Sequence, residues 1–184
     1  MLIRTLLVAA ALTASAWAGI VDDVRLSLAQ HNFSAAEAAL NSYRSRQGAN
    51  PEYLEASSWM ARAALDQREY PRAVAYAKQT KTQALELLKT RSLDADSHLP
   101  TALGAALEVQ SQALAATGQR PRAIALLQAA LKTYANTSIE ERLQKNLNLL
   151  ALQGKAAPGL KQDQFLGAQL PGAAMRSRNS TAKQ

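Results

Sequence analysis

Among the 184 residues of this sequence, the run Asp94-Ala95-Asp96-Ser97-His98 comes nearest to a metal-binding pattern. Two carboxylates and one imidazole at this spacing could hold a divalent cation through oxygen and nitrogen ligands. The run lacks the glycine and the distal glutamate of a calcium-binding loop. Short loops rich in aspartate also form without any ligand, because Asp side chains bond to nearby backbone amides. The sequence therefore favours a solvated acidic loop over a metal site.

Other residues that could do chemistry are scarce. The chain has no cysteine, which excludes disulfides, thiolate catalysis and cysteine-ligated metals. The other histidine, His31, has no acid or nucleophile at a telling spacing, and we expect it to be a solvated turn residue. No phosphate-binding glycine loop, nucleophile elbow or zinc-protease motif occurs. These observations predict a protein that is not an enzyme and that binds no cofactor and no metal.

The composition predicts an all-α fold. Hydrophobic residues make up 48% of the chain, which is enough for one domain with a core. Only 8 Gly and 6 Pro interrupt long runs rich in Ala and Leu, both of which favour helix. No stretch shows the strict alternation of apolar and polar residues that is typical of a half-buried strand.

Turn signals divide the chain into helices. Gly48 and Gly118 are typical helix stops, and Asn50-Pro51 is typical of a helix start. Residues 91–100 are predicted to be a loop, because the proline at position 100 disfavours helix in the residue before it. Thr101 is then the predicted start of the following helix.

Two helix starts match the capping box, in which a Ser hydroxyl and a Glu carboxylate each accept from the other's backbone amide. They are Ser34-Ala35-Ala36-Glu37 and Ser138-Ile139-Glu140-Glu141. Apolar residues at helical spacing predict the buried faces. For the long helix after Pro71 the predicted stripe is Val74, Ala77, Leu85 and Leu88. For the last helix it is Ile139, Leu143, Leu147 and Leu150.

Three turns share a pattern in which a small residue lies three positions after a turn residue. The pairs are Phe33 and Ala36, Tyr70 and Ala73, and Arg120 and Ala123, the last with arginine in place of an aromatic. This pattern resembles the tetratricopeptide repeat family, although the spacings of 37 and 50 residues exceed the family period of about 34. The resemblance implies about three antiparallel helix pairs and a C-terminal capping helix. A generic helical bundle is the alternative.

The same resemblance implies that the first helices of the pairs line a concave face that binds partners. Alignment on the three small residues puts Arg25, Arg62 and Gln112 at one equivalent position. Two arginines in register could bind a carboxylate or an acidic peptide segment in fork geometry, whereas ordinary solvated helix residues are the alternative. The candidate partner-binding residues are these three and their neighbours: Arg25, Glu55, Ser58, Arg62, Glu108 and Gln112.

Residues 1–18 have the three parts of a secretory signal peptide. Arg4 supplies the positive charge, residues 6–12 are apolar, and Ala16-Trp17-Ala18 is a cleavage site before Gly19. The apolar run is too short to span a bilayer. We therefore expect a periplasmic or secreted protein that has no stable membrane anchor after cleavage. A buried N-terminal helix is the alternative.

The net charge of +7 is concentrated near the C-terminus. Residues 155–184 carry five basic residues and one acidic residue among many Gly, Pro, Ala and Gln. A nucleic-acid-binding protein usually gathers its basic residues on a folded face, so nucleic acid is not an expected partner. Such a composition is typical of disorder. The predicted organisation is a signal peptide at 1–18, a helical repeat domain at 19–154, and a linker with a disordered basic tail at 155–184.

The segment 146–158, which ends in Gly154-Lys155-Ala156-Ala157-Pro158, supports an alternative function. It resembles the junction before a thioredoxin-like (redoxin) domain, and Phe165-Leu166-Gly167 is similar to the early strand and turn that follow. No C-x-x-C and no apolar strand comes after it. The resemblance implies the helical part of an envelope disulfide reductase without its redox domain. The main prediction remains an exported, non-enzymatic helical repeat module that binds a protein or peptide.

The export prediction has a direct test. After expression of the whole chain in a bacterium with two membranes, mass spectrometry is expected to find a product that begins at Gly19. Ala18→Leu is expected to block this cleavage, because signal peptidase requires a small residue there, whereas Ala18→Gly is expected to preserve it. A cytoplasmic product that retains Met1 would contradict the prediction.

Overall fold

The computed structural model of the protein describes residues 19–152, and within this range the chain is all-α. In this part of the chain seven helices follow one another: α1 (Ile20–Ala29), α2 (Phe33–Gln47), α3 (Pro51–Asp66), α4 (Tyr70–Leu87), α5 (His98–Ala116), α6 (Arg120–Thr133) and α7 (Glu140–Leu152). A 3-10 turn at Leu93–Ala95 lies between α4 and α5. The predicted all-α class is confirmed for the described residues.

Several predictions fall on residues that the structure does not describe. They are the signal peptide at 1–18, the basic tail at 155–184, and the part of the thioredoxin-like resemblance beyond Leu152. Between residues 19 and 152, no helix combines the length and the hydropathy needed to cross a lipid bilayer.

The links α1–α2, α3–α4 and α5–α6 are one turn geometry used three times. In each, the second residue after the helix has a left-handed backbone: His31 at φ 57°, Arg68 at φ 61° and Gly118 at φ 78°. The amide of this residue bonds to the carbonyl three residues back. The next amide reaches the carbonyl five residues back, as from Asn32 to Ser27 at 2.9 Å. These two bonds form the Schellman motif, which satisfies the last carbonyls of the first helix.

The helices pack in a regular order. Helices α1, α3, α5 and α7 contact one another in sequence, while α2 packs against α1, α4 against α3, and α6 against α5. Helix α5 is the central element, because it contacts α3, α4, α6 and α7, and 12 of its 19 residues are buried. The small residues Ala36, Ala73 and Ala123 lie in the first turns of α2, α4 and α6, and all three are fully buried. A methyl group at these positions lets the paired helices approach closely.

The predicted stripe of α7 is confirmed, whereas that of α4 is partly wrong. Ile139, Leu143 and Leu150 are buried and Leu147 packs against the core. In α4, Leu85 is exposed, and the buried residues are Ala73, Ala77, Thr80 and Ala84. Helix α4 packs between α3 and α5, so the small residues must face its neighbours while the larger leucine turns outward. The Thr80 hydroxyl is satisfied by the Ser57 hydroxyl, 3.0 Å away.

The first predicted capping box is wrong. The cap of helix α2 lies two residues earlier than expected, and the side chain of Asn32 accepts from the Ala35 amide at 3.0 Å. The Glu37 carboxylate accepts instead from the Tyr76 hydroxyl of α4 at 2.6 Å. The preceding Schellman turn places residue 32 at the cap position, so Ser34 lies inside the helix.

The second predicted capping box is also wrong. The Ser138 hydroxyl donates to the Asp94 carboxylate, which lies on the distant 3-10 turn. The Glu140 carboxylate accepts from the backbone amide of Asn136 at 2.6 Å. In each box, one of the two side chains that the local pattern assigns to the helix end bonds instead to a distant residue: Glu37 to Tyr76 and Ser138 to Asp94.

Helix α5 begins three residues earlier than predicted, so the loop ends before His98. The Asp96 carboxylate accepts from the amides of His98 and Leu99, at 2.9 and 2.8 Å, and thereby caps the helix. Pro100 lies in the first turn, where the amide it lacks would have no partner within the helix. The capping aspartate therefore outweighs the bias that the proline imposes on Leu99.

Glycine is expected to stabilise the protein at the left-handed position of the repeated turn and to destabilise it at the position before. Arg68→Gly is expected to raise the free energy of unfolding by about 0.5–1 kcal/mol, because it removes a Cβ from a left-handed residue. Gly118→Ala is expected to lower it by about 1 kcal/mol for the converse reason. Urea unfolding followed by far-UV circular dichroism measures both. As a control, Gln67→Gly changes the neighbouring right-handed residue and is expected to destabilise the protein.

Candidate functional site

One open cavity of about 1000 Å³ lies along the side of the structure where α1, α3, α5 and α7 meet. We call it the Trp59 cavity, after the largest side chain in its wall. Each of these four helices contributes charged or amide side chains to the lining, among them Arg25, Arg62, Gln112 and Arg142. The cavity therefore depends on the side-by-side order of these helices, and no single helix pair could form it.

Four of the six predicted partner-binding residues line this cavity. Arg25 comes from α1, Arg62 from α3, and Glu108 and Gln112 from α5. The positions that were aligned on the small residues thus lie along one surface. This placement follows from the fold, because equivalent residues of successive first helices face the same side when those helices pack in order.

The other two predicted residues lie elsewhere. Ser58 is fully buried, and its hydroxyl donates to the Glu55 backbone carbonyl at 2.7 Å. The Glu55 carboxylate lies 2.7 Å from Nδ1 of His98. Helix α3 packs against α1, α4 and α5, so the face that carries Ser58 is covered. The structure therefore brings neither residue into the lining of the Trp59 cavity.

The Trp59 ring contacts two guanidinium groups. The Cζ atoms of Arg25 and Arg62 lie 4.8 and 4.7 Å from the centre of its ring. Such contacts stabilise a cation over the negative face of the indole by about 0.5–2 kcal/mol. The indole Nε1 atom is buried and has no hydrogen-bond acceptor among the described residues. The ring thus holds both arginines at the cavity, while its own N–H group donates to none of the residues that the structure describes.

Arg62 is a partly buried cation that forms no ion pair with any residue between 19 and 152. Within residues 19–152, no carboxylate oxygen lies within 4 Å of its guanidinium nitrogens. Burial lowers the pKa of Arg62 from its ordinary value, and the positive charge of Arg142 lowers it further, while the nearby charge of Glu108 opposes the shift. Arginine remains protonated in proteins despite such shifts. The cavity therefore contains a positive charge that the described residues neutralise only from a distance.

Glu108 and Arg142 connect α5 to α7 across the cavity. The Glu108 carboxylate accepts from Nε of Arg142 at 2.8 Å and also from its Nη2, and from Nε2 of Gln112 at 3.2 Å. Gln112 Nε2 also lies 3.2 Å from Oδ1 of Asn146, whose own amide nitrogen donates to the Arg142 carbonyl at 2.9 Å. This network positions Glu108, Gln112 and Arg142 in the lining of the cavity, and the buried Asn146 amide supports them from behind.

Sequence reasoning did not find Trp59 or Arg142 as site residues. The pattern in the sequence gives Trp59 no role beyond that of one apolar residue among several on the helix that follows Pro51. Arg142 lies in α7, which has no second helix within residues 19–152 and so could not be aligned on a small residue. One signal in the sequence could have identified Arg142. Helix α7 follows α6 as α5 follows α4, so polar residues of α7 are expected on the same side as those of α5.

The polar side chains of the acidic run at residues 94–98 contact other parts of the fold. Asp94 accepts from the Ser138 hydroxyl, Asp96 caps α5 and lies 3.4 Å from Arg91, and His98 contacts Glu55. The three side chains thus serve three different partners. Between residues 19 and 152, no group of three or more His, Cys, Asp or Glu residues is placed to hold a metal ion.

The Glu108–Arg142 pair is expected to contribute to stability. A double-mutant cycle with Glu108→Gln and Arg142→Gln should give a coupling free energy of about 1 kcal/mol, because both side chains are largely shielded and two nitrogens donate. Urea unfolding of the four proteins measures it. The exposed Glu86–Lys89 pair is the control, with an expected coupling of about 0.3 kcal/mol. Equal coupling in the two pairs would contradict the prediction.

Comparison with models of protein families, with curated proteins and with solved structures finds no match to this chain.

Proposed function

We propose that this protein is an exported, non-enzymatic helical repeat module that binds a protein or peptide in the Trp59 cavity. The observation that carries the proposal is the lining itself, in which Arg25, Arg62 and Gln112 from three successive first helices meet along one open surface. Concave surfaces built from equivalent positions of stacked helices are the usual binding surfaces of repeat proteins.

The relation to tetratricopeptide-like repeats is part of this proposal. Three features support it: the Schellman turn used three times, the buried small residue in the first turn of each second helix, and the contacts among successive first helices. In this interpretation α7 is the capping helix that closes the stack. Its inner face packs on α5 and α6, and Leu149 and Leu152 on other sides are exposed.

The character of the lining suits a peptide. Apolar side chains such as Leu65 and Val109 lie beside the arginines, and Leu26 at the rim is 61% exposed. A groove of this kind can bind a peptide segment by burying its apolar surface, while a few polar groups fix the orientation of the segment. A peptide with both apolar and polar side chains matches this surface better than a small ion does, because an ion would leave the apolar side chains without a partner.

The test is an unbiased selection from a library of displayed random peptides, with the chain from Gly19 to Gln184 as bait. The wild type is expected to enrich a family of peptides, and the double variant Arg25→Ala/Arg62→Ala is expected to bind them at least about tenfold more weakly. The matched control is Arg46→Ala/Lys78→Ala, which removes the same number of charges from exposed positions of α2 and α4. The control is expected to bind like the wild type.

Two results would contradict the proposal. One is the absence of any peptide that the wild type enriches over a plain surface. The other is equal loss of binding in the control and in the cavity variant, since that would place binding outside the Trp59 cavity. Far-UV circular dichroism of each variant excludes unfolding as the cause of a loss.

A further inference from the structure

Three arginines line the Trp59 cavity, and two of them, Arg62 and Arg142, have unequal surroundings. Arg142 is bonded to the Glu108 carboxylate through Nε and Nη2. Arg62 lies over Trp59, and no carboxylate among the described residues is within 4 Å of it. The two cations line the same cavity, and among the described lining residues Glu108 is the one acid whose side chain is largely shielded beside them. A second carboxylate would complete the charge pairing there.

The remaining acidic residues of the lining do not supply it. Asp22 is exposed and lies 3.8 Å from Arg25, a separation that gives only a weak interaction in water. Asp66 is the last residue of α3 and is also exposed. The inner part of the cavity thus has an excess of positive charge, whereas the acids lie at its rim.

The existing contacts show which chemistry this surface accepts. Glu108 is itself a carboxylate, held by a guanidinium and by the Gln112 amide in the geometry that those donors prefer. Its side chain and that of Arg142 are 25% and 30% exposed, so a ligand in the cavity can reach both. The donors of Arg142 and Gln112 therefore already bind one carboxylate, that of Glu108, and a carboxylate of a peptide could bind beside it.

We propose, on the basis of the binding function above, that Arg62 and Arg142 bind a side-chain carboxylate of an acidic peptide segment and that Glu108 competes with it. The incoming carboxylate accepts from Arg62 and shares or displaces the donors of Arg142. The Trp59 ring keeps the Arg62 guanidinium in place, so little side-chain freedom is lost on binding. Glu108 then sets the affinity by repelling the ligand and by occupying Arg142.

Two matched peptide libraries test the chemistry. They are identical except that the same two positions hold glutamate in one library and glutamine in the other, and the remaining positions are random. The wild type is expected to enrich binders from the glutamate library only. Binding of these peptides is expected to weaken as salt concentration rises, because the pair is partly open to solvent.

Three single variants test the assigned residues by fluorescence anisotropy of the enriched glutamate peptides. Arg62→Gln is expected to weaken binding about tenfold, which corresponds to one charge-assisted hydrogen bond. Glu108→Gln is expected to tighten binding several-fold, because it removes a competing negative charge. The control Arg46→Gln, at an exposed position of α2, is expected to leave the affinity unchanged.

The opposite signs separate this proposal from a structural role. If Glu108→Gln weakens binding as Arg62→Gln does, Glu108 holds the cavity in shape and the proposal is overturned. Equal enrichment from the two libraries, or preference for phosphoserine peptides over glutamate peptides, also overturns it. If the random library gives binders that depend on Arg25 and Arg62 but lack acidic residues, this inference fails while the proposed function stands. If the random library gives no binder, both fail.

Discussion

The left-handed turn between paired helices is the constraint on which the rest of this structure depends. The second residue after α1, α3 and α5 has a positive φ, so the chain reverses its direction within three residues at each of these turns. The two helices that each turn joins therefore lie in close contact. Only a small side chain fits in the first turn of the returning helix, which explains the fully buried Ala36, Ala73 and Ala123. The same reversal leaves the first helices as neighbours, so that their equivalent residues face one side.

The Trp59 cavity is a consequence of that order. Helices α1, α3 and α5 present Arg25, Arg62 and Gln112, and α7 adds Arg142 because it packs on α5 and α6 as α5 packs on α3 and α4. The indole ring and the Glu108 carboxylate then hold the guanidinium groups in two different ways. Arg25 and Arg62 are held over the aromatic ring, and Arg142 is held by hydrogen bonds to the acid.

Much of the fold was predictable because its signals are local. Asn50-Pro51 starts α3 as expected, with the Asn50 side chain accepting from the Tyr53 amide, and Gly118 ends the turn after α5. The errors occur where a side chain had two possible partners. Glu37 bonds to Tyr76 and Ser138 bonds to Asp94, although a capping box was available to each. Local pattern cannot rank a helix cap against a residue 39 or 44 positions away.

The sequence by itself determined the all-α class, the main helix breaks, and the register that Arg25, Arg62 and Gln112 share. These follow from spacing, since helical periodicity and turn chemistry act over a few residues. The tertiary structure alone decided that Ser58 is covered, that Trp59 carries both arginines, and that Arg142 faces Glu108. Those contacts join helices that are distant in the chain, so they depend on packing between whole elements and have no signature in the local sequence.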